Sequence, residues 1–157
     1  MTKQELYKIV EEYILSHKEA HYRIAYSYVR NKEDALDIIQ ESIYKALASI
    51  ASLENPKAIK TWFYRILVNT SVDFIRKNSR IIYVEEPEIA TAQEDHYENI
   101  DLEKALDYLP PEQRIVIILR FFEDLKLEDV AAALGENLST VKSRLYAGLK
   151  KLRIAME

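Results

Sequence analysis

The chain has 157 residues, of which 48% are hydrophobic, and it contains no cysteine, two glycines and four prolines. The hydrophobic content favours folded cores over disorder, and the length suits one ordinary domain or two small ones. The lack of cysteine excludes disulfides and thiolate metal sites, and no apolar run approaches the roughly 20 residues of a membrane span. Because glycine and proline are too scarce for many hairpins, we expect an all-α protein of two small helical domains. The polar first residues lack a signal-peptide core, so we expect a cytoplasmic protein.

The net charge of −4 is unevenly distributed along the chain. Residues 57–80 carry a net charge of +5, residues 81–109 carry −8, and residues 138–157 carry +4. Two basic segments separated by an acidic one are typical of a protein that contacts DNA at two places. Basic helices are also common as solvated surfaces, so the charge pattern alone does not decide between them.

A broad apolar stripe over residues 3–30 predicts a long structural helix that is broken near His17. His17 and His21 are four residues apart and could hold a metal on one helix face. Because no carboxylate motif such as HExxH accompanies them, we expect both of them and His96 to be solvated. The sequence therefore predicts no metal site and no cofactor.

A second helix is predicted over residues 32–50, after the capping residue Asn31. Its inward stripe is predicted to contain Ala35, Leu36, Ile39, Ile43, Ala46, Leu47 and Ile50. Its outward face is predicted to contain Asp34, Asp37, Gln40, Glu41, Tyr44 and an exposed Ile38. Polar faces are usually just solvated, but an acidic patch with an isoleucine and a tyrosine also suits protein docking.

Asn55 and Pro56 supply the cap and first-turn proline of a third helix, which is predicted to run to about Asn78. The residues predicted to face its core are Ile59, Trp62, Phe63, Ile66, Leu67, Thr70 and Phe74. Trp62 is interpreted as a core residue rather than a base-stacking wedge because it lies on this apolar stripe. The cations off the stripe, which can reach phosphates, are Lys57, Lys60, Arg65, Arg76, Lys77 and Arg80.

Helical periodicity is lost from residue 81 to about residue 98, where acidic residues accumulate, and this segment is predicted to be a linker. The first domain would then span residues 1–80 and the second residues 99–157. The second domain is predicted to begin with a short helix that ends at Pro110. A helix from Glu112 to Phe122 follows, and its run of five aliphatic residues must be buried almost all round.

Residues 127–153 have the pattern of a helix-turn-helix. Gly135 suits the left-handed end of the first helix, and Ser139 or Thr140 can cap the second. The second helix is predicted to bury Val141, Leu145, Gly148, Leu149 and Leu152. Its opposite face carries Ser139, Lys142, Ser143, Tyr146, Lys150 and Arg153, which suit base edges and phosphates in a major groove. An amphipathic helix with a solvated basic face is the alternative, but the turn favours DNA binding.

Three segments, in this order, resemble the sigma subunits of bacterial RNA polymerase of the extracytoplasmic-function (ECF) group. EDALDIIQESIYKAL resembles regions 2.1–2.2, TWFYRILVNTSVDFIRK regions 2.3–2.4, and LPPEQRIVIILRFFEDLKLEDVAAALGENLSTVKSRLYAGLKKLR region 4. Within the group, the sequence is most similar to the sigma-V type. The resemblance implies a promoter-specificity subunit that is not itself an enzyme and has no small-molecule substrate. It also implies a response to cell-envelope stress and a membrane-anchored anti-sigma factor.

The resemblance also implies where core polymerase and −10 DNA bind. Asp37, Gln40 and Glu41 match the face that docks on the clamp helices of the polymerase β′ subunit. Asn69, with Ile66 and the loop of residues 49–55, matches the pocket for a flipped base of the −10 element. The cations expected at −10 DNA are Lys60, Arg65, Arg76 and Lys77. This loop lacks the aromatic residue and glycine often found there, which leaves the preferred base open.

In region 4, which would also meet the β flap, the resemblance assigns contacts with the −35 element. Lys142, Ser143 and Tyr146 match positions that meet this DNA. Ser139, Thr140, Arg144 and Lys150 are further candidates on the same helix. Ala147 stands where many relatives have arginine, so one common DNA contact is missing.

Three other functions compete with a sigma factor. A free-standing helix-turn-helix regulator would bind DNA without polymerase, but it leaves the outward face of Asp37, Gln40 and Glu41 unexplained. A helical adaptor that binds no nucleic acid leaves the two basic segments unexplained. An enzyme is the least supported, because the sequence shows no nucleophile–base pair, metal set or glycine-rich loop.

Overall fold

The computed structural model describes residues 1–78 and 102–156, and all regular structure in these two ranges is helical. The expected all-α class is therefore confirmed. The helices are α1 (Lys3–Ser16), α2 (Lys18–Val29), α3 (Lys32–Ala48), α4 (Ile59–Asn78), α5 (Leu102–Leu106), α6 (Pro111–Ile117), α7 (Leu127–Leu134) and α8 (Leu138–Met156). The predicted linker, Arg80 and His96 lie outside the described residues. We refer to residues 1–78 and 102–156 as the N-terminal and C-terminal parts.

The chain breaks between α1 and α2 at His17, as the periodicity predicted. Thr2 caps α1 with a capping box, in which the Thr2 hydroxyl accepts from the Glu5 amide and the Glu5 carboxylate accepts from the Thr2 amide. α2 ends at Arg30, whose left-handed φ of 59° closes the helix. α1 and α2 are therefore two helices of one bundle.

The expectation that His21 is solvated is wrong, because its ring is buried against Phe63 and Tyr64. His21 Nε2 lies 3.1 Å from the hydroxyl of Tyr13. Burial, together with the charge of nearby His17, lowers the pKa of His21 from 6.5 to about 4. Burial also raises the pKa of Tyr13 and of Tyr64. All three side chains are therefore neutral core groups at neutral pH.

The predicted face of α3 is partly wrong. Ile38 is only 1% exposed, whereas Leu36 is 45% exposed and Leu47 is also exposed. The deeply buried residues of α3 are Ala35, Ile38, Ser42 and Ala46, which recur at helical spacing on one face. Their mostly small side chains allow α3 to pack closely against both α2 and α4. Packing therefore selected the stripe of small residues instead of the stripe that contains the leucines.

α4 begins as predicted. The Asn55 side chain accepts a hydrogen bond from the Lys57 amide, and Pro56 opens a 3₁₀ turn that leads into the helix. The buried residues of α4 are Phe63, Tyr64, Leu67, Val68, Thr70 and Ser71. Tyr64, Val68 and Ser71 were not on the predicted stripe, because α4 packs against α2 and α3 on one side and against α7 on another. The predicted core residues that are only partly buried are Ile59, Trp62, Ile66 and Phe74.

The C-terminal part is built around α6, whose aliphatic run is buried as predicted. α6 continues as a π-helical turn over Ile118–Phe122. α8 crosses α6 closely at Gly148, where an added Cβ would lie 2.7 Å from the Ile117 side chain. Gly148 therefore permits the close contact between α8 and α6.

The turn between α7 and α8 confirms one predicted residue and corrects the other. Gly135 ends α7 with a left-handed φ of 68°. Asn137 caps α8 by accepting from the Thr140 amide at 2.8 Å, and the helix begins at Leu138. Ser139 and Thr140, the residues predicted to be caps, therefore lie inside the first turn of α8.

The two parts are in direct contact, because α7 packs against α4 and α6 packs against α2. Arg114 of α6 is buried, and its guanidinium donates to the backbone carbonyls of Ser27, Leu106 and Leu109. Arg30 at the end of α2 pairs with Asp107. We call this packing of the C-terminal part on the N-terminal part the closed arrangement.

Candidate nucleic-acid interface

α8 exposes the face that was predicted to meet DNA. Of the predicted stripe, Val141, Leu145, Gly148 and Leu152 are buried and Leu149 is only partly buried, which fixes the rotation of the helix. The exposed residues on the outer side are Ser139, Lys142, Ser143, Tyr146, Lys150 and Arg153. Tyr146 is 62% exposed, so its ring and hydroxyl are accessible to a groove. The face combines cations for phosphates with hydroxyl and aromatic groups for base edges.

Two other candidates on α8 lie toward the protein. Thr140 is half-buried in the first turn. Arg144 is also half-buried, and its guanidinium lies 3.6 Å from the carboxylate of Glu136. Arg144 faces the groove between the two parts, which Val72 and Ile75 of α4 also line. Arg144 therefore contacts the turn between α7 and α8 and faces α4.

The four cations proposed for −10 DNA are in different environments. The Lys60 ammonium donates to the backbone carbonyl of Glu123 at 2.6 Å, and Arg65 donates to the Ala132 carbonyl at 2.9 Å. Arg76 pairs with Asp73 one turn earlier on α4. Lys77 is exposed. The closed arrangement therefore engages two of the four cations with the C-terminal part.

One hydrogen bond holds the loop of the proposed flipped-base pocket against α4. Trp62 Nε1 donates to the Ser52 hydroxyl at 2.9 Å and so ties the loop of residues 49–55 to α4. Ile66 is half-buried and Asn69 is exposed on the two following turns of α4. The Asn69 amide is therefore accessible to solvent. Trp62 is partly buried against the core, as predicted.

Asp37, Gln40 and Glu41 are exposed on the outer side of α3, as predicted. Leu36, Tyr44 and Leu47 are exposed on the same helix. Sequence reasoning missed Leu36 and Leu47 as surface residues because it placed them on the buried stripe. The alternative stripe of small residues, from Ala35 to Ala46, was the signal that could have identified them.

Glu123 is a buried polar residue that sequence reasoning missed. Its carboxylate accepts from Arg23 at 2.7 Å and from the Tyr64 hydroxyl at 3.0 Å, both in the N-terminal part. In the sequence it is one of two adjacent acids, Glu123 and Asp124, and nothing distinguishes them. Glu123 follows the π-helical turn of Ile118–Phe122, which the sequence pattern did not predict, and its side chain lies inward.

Within residues 1–78 and 102–156, no group of three or more potential ligand side chains could hold a metal. Among the helices of these two ranges, none is both long and apolar enough to span a membrane.

Two family models match the chain: sigma-70 region 2 over residues 13–81 and sigma-70 region 4 over residues 100–152. RNA polymerase sigma factor SigV of Bacillus subtilis is 53% identical over 146 residues, covering 91% of this chain and 88% of the relative. RNA polymerase sigma-E factor of Streptomyces coelicolor is 31% identical over 147 residues, covering 91% and 83%. ECF RNA polymerase sigma factor EcfG of Rhodopseudomonas palustris is 32% identical over 128 residues, covering 78% and 71%.

Two solved structures resemble the fold. The sigma factor RpoE from Bartonella quintana, in complex with the anti-sigma factor NepR, has a TM-score of 0.76 at 29% identity and covers 93% of this chain and 95% of that one. CnrH in complex with the cytosolic domain of CnrY has a TM-score of 0.65 at 20% identity, covering 92% and 85%. The second likeness concerns the fold alone.

Proposed function

The chain belongs to the ECF sigma factors of bacterial RNA polymerase, and we propose that it directs core polymerase to promoters through three separate surfaces. The observation that carries this proposal is the exposed face of α8, where cations, hydroxyls and Tyr146 lie opposite a buried apolar stripe. We assign −10 recognition to residues 1–80, the linker to 81–98, and −35 recognition to 99–157. A specificity subunit selects DNA and leaves the chemistry to the polymerase, so it needs no active site of its own.

The −35 element is read by α8 in the major groove. Ser143 and Tyr146 are our candidates for base contacts, because hydroxyl groups can hydrogen-bond to base edges. Lys142 and Lys150 act mainly on phosphates, which attract protein without specifying sequence. Ser139, Thr140 and Arg144 lie at the margins of this face.

The −10 element is bound and opened by α4. Asn69 and Ile66, with the loop held by Trp62, would capture one extruded base, and the exposed Asn69 amide can hydrogen-bond the edge of that base. Extruding a base costs a few kcal/mol, so phosphate contacts from Lys60, Arg65, Arg76 and Lys77 would help to hold the opened strand.

Core polymerase binds the outer side of α3 through its β′ clamp helices. Asp37, Gln40 and Glu41 supply an exposed acidic surface, and Leu36, Tyr44 and Leu47 add apolar area to the same helix. Exposed apolar side chains beside polar groups are typical of protein interfaces. The C-terminal part would meet the β flap. Because polymerase and promoters are cytoplasmic, we place the protein there.

We propose that an anti-sigma factor controls the protein. The support is the structural likeness to a sigma factor that was solved in complex with its anti-sigma factor. By the sigma-V resemblance, this partner would be membrane-anchored and the promoters would respond to cell-envelope stress.

The experiment is transcription by core polymerase, with and without this chain, from a library that varies the −35 and −10 elements. We expect the full chain to bind promoter DNA poorly alone and to select promoters only with core enzyme, because its net charge of −4 opposes free association. Tight sequence-specific binding by the chain alone, unchanged by polymerase, would instead indicate a free-standing regulator.

A further inference from the structure

The loop of residues 49–55 is held by a chain of three hydrogen bonds that ends on Trp62 of α4. The Trp62 Nε1–H donates to the Ser52 hydroxyl at 2.9 Å, and that hydroxyl donates to the Ser49 carbonyl at 2.7 Å. The Ser49 hydroxyl in turn donates to the Lys45 carbonyl of α3 at 2.8 Å. We call these three bonds the loop tether. The loop tether therefore joins the last turn of α3 to α4 through the loop.

Two apolar side chains anchor the same loop in the core. Ile50 and Leu53 are only 2% and 3% exposed. The Ser52 amide donates to the Ser49 carbonyl at 2.9 Å, and the Leu53 amide donates to the Ile50 carbonyl at 3.0 Å, which closes a 3₁₀ turn. Ser52 itself is exposed at the surface. The core anchors thus hold the backbone of the loop, and the loop tether holds the turn that carries Ser52 against α4.

Helical geometry relates the loop tether to the residues proposed to capture a base. Trp62, Ile66 and Asn69 stand at positions i, i+4 and i+7 of α4, so their side chains lie along one face of the helix. Residues 62 and 69 are about 10 Å apart along the helix axis. The loop is therefore attached to α4 at the start of the face that carries Ile66 and Asn69.

Trp62 is suited to hold the loop rather than to contact DNA. Its ring is partly buried against the hydrophobic core, which fixes the direction of the indole N–H. An indole has one donor and no acceptor, and this donor is bonded to Ser52. The Ser52 hydroxyl has one proton, which is bonded to the Ser49 carbonyl. Neither side chain therefore has a donor left for a base.

We propose that Trp62 is a positioning residue for −10 recognition, which sets through the loop tether where the loop lies relative to an extruded base. This role rests on the proposed capture of a −10 base by Asn69, Ile66 and the loop. Selection between bases requires accurate placement of the groups around the base, because a displaced group no longer matches the preferred base. A loop that is held before DNA arrives also binds without the cost of ordering it. Loss of the loop tether should therefore reduce selectivity at the captured position and leave −35 selection unchanged.

Fluorescence first locates the captured base. Core polymerase that carries the full chain is bound to promoter DNA with 2-aminopurine at one −10 position at a time, because this base fluoresces more strongly when it is unstacked. We expect one position to brighten. Transcription from a mixed library of −10 sequences then gives the ratio of the preferred base to the next base at that position. All promoters compete for the same holoenzyme, so the ratio does not depend on the fraction of folded protein.

Trp62→Phe and Ser52→Ala each break the loop tether from one side. Phenylalanine keeps an aromatic ring at the packed position and removes the N–H donor, whereas alanine removes a hydroxyl at an exposed position. A hydrogen bond is worth about two- to tenfold in an equilibrium, so each variant should reduce the ratio about two- to tenfold. The double variant should lose no more than either single variant, because both changes interrupt the same tether.

Ser52→Thr is the matched control, because threonine retains the hydroxyl and should keep the parent ratio. Ser16→Ala removes an exposed hydroxyl of α1 and should also keep it. Ser52→Ala keeps the proposal testable if Trp62→Phe fails to fold, which far-UV circular dichroism would show. In every variant the −35 selection should match that of the parent.

The results separate the role of Trp62 from the proposed base capture. An unchanged ratio in both Trp62→Phe and Ser52→Ala overturns the positioning role. A reduced ratio in Trp62→Phe with the parent ratio in Ser52→Ala also overturns it, because Trp62 would then act without Ser52. Losses that add in the double variant contradict a single tether. If no −10 position brightens with the parent, base capture itself is wrong and the positioning role falls with it, a result that requires no variant.

Discussion

α4 and α8 both carry cations on faces that were predicted to meet DNA, but they hold these cations differently. Lys142 and Lys150 of α8 are exposed to solvent, whereas Lys60 and Arg65 of α4 donate hydrogen bonds to the C-terminal part. A positive helix face is therefore not sufficient to identify an available DNA surface. A second factor is whether its cations already donate hydrogen bonds to protein oxygens, as the half-buried Lys60 and the exposed Arg65 do. The predictions below test this difference, starting with the largest expected effect.

The largest effect is expected from base contacts on the open face. Ser143→Ala or Tyr146→Ala should each cost about 1–3 kcal/mol on the preferred −35 sequence and relax selection at one position. Lys150→Ala should instead weaken all promoters about equally and lower the salt slope by roughly one. Transcription by holoenzyme from a −35 library, with salt titration of binding, measures both.

Lys142 is the ambiguous residue on this face, because a lysine near the start of a groove-bound helix can also reach a guanine edge. If Lys150→Ala shifts the preferred −35 sequence while Ser143→Ala and Tyr146→Ala leave it unchanged, our assignment of base and phosphate contacts on α8 is wrong.

A pair of double variants compares the two faces directly in the free chain. Each phosphate contact contributes a slope of about 0.9 to the dependence of log affinity on log salt concentration, which at 0.15 M salt corresponds to about fivefold in affinity. Loss of two contacts in Lys142→Gln with Lys150→Gln should therefore weaken DNA binding about 30-fold, or by about 2 kcal/mol. Lys60→Gln with Arg65→Gln should change free-chain binding by less than about threefold, since these cations are engaged. Fluorescence anisotropy with a nonspecific duplex measures both.

The same two double variants should behave differently in holoenzyme, where we expect both to reduce promoter use. Equal losses for both double variants in the free chain would show that the α4 face is as available in solution as the α8 face. That result would show that the hydrogen bonds of Lys60 and Arg65 to the C-terminal part do not limit DNA binding by α4.

The cores beneath the two faces also differ, because α4 covers the buried His21 whereas the buried stripe of α8 is apolar. The folded chain keeps His21 neutral with a pKa of about 4, while the unfolded chain takes up a proton near pH 6.5. Stability should therefore fall as the pH drops below 6.5. Between pH 7.5 and 5.5 the parent should lose about 1.4 kcal/mol more than His21→Leu.

Fluorescence of Trp62, the single tryptophan, can follow this unfolding in the N-terminal part. His17→Gln is the control, since His17 is only half-buried. Equal pH dependence of the parent and His21→Leu would show that His21 does not titrate as its burial requires.

Local sequence patterns predicted the C-terminal part well, because its helix-ending glycine and its apolar spacing are strong, short-range signals. Gly135 ends α7 and the stripe from Val141 to Leu152 is buried, as the spacing indicated. Asn137 was missed as the cap because Ser139 and Thr140 are equally good capping types. The choice among neighbouring caps depends on where the turn ends, which propensity does not determine.

The errors in the N-terminal part come from tertiary packing. Ile38 and Leu36 lie on overlapping stripes of α3, and only close packing against α2 and α4 selects the stripe of small residues. His21 is an ordinary polar residue in sequence and is buried by aromatic neighbours from other helices. The inward position of Glu123 depends on the π-helical turn, and the engagement of Arg65 depends on contacts between the two parts. No local pattern encodes these.

The smallest effect is expected on α3, whose outer side is proposed to bind polymerase. Gln40→Ala with Glu41→Arg should change stability by no more than about 0.5 kcal/mol, because both residues are exposed. Binding to core enzyme should weaken about fivefold, near 1 kcal/mol, since the charge reversal acts on one part of a larger interface. Glu12→Arg, an exposed charge reversal on α1, is the control, and core-enzyme titration with thermal unfolding measures both quantities.

This surface differs from the α4 face because no described contact of the closed arrangement involves Gln40 or Glu41. If the double variant binds core enzyme as tightly as Glu12→Arg does, the assigned docking face on α3 is wrong.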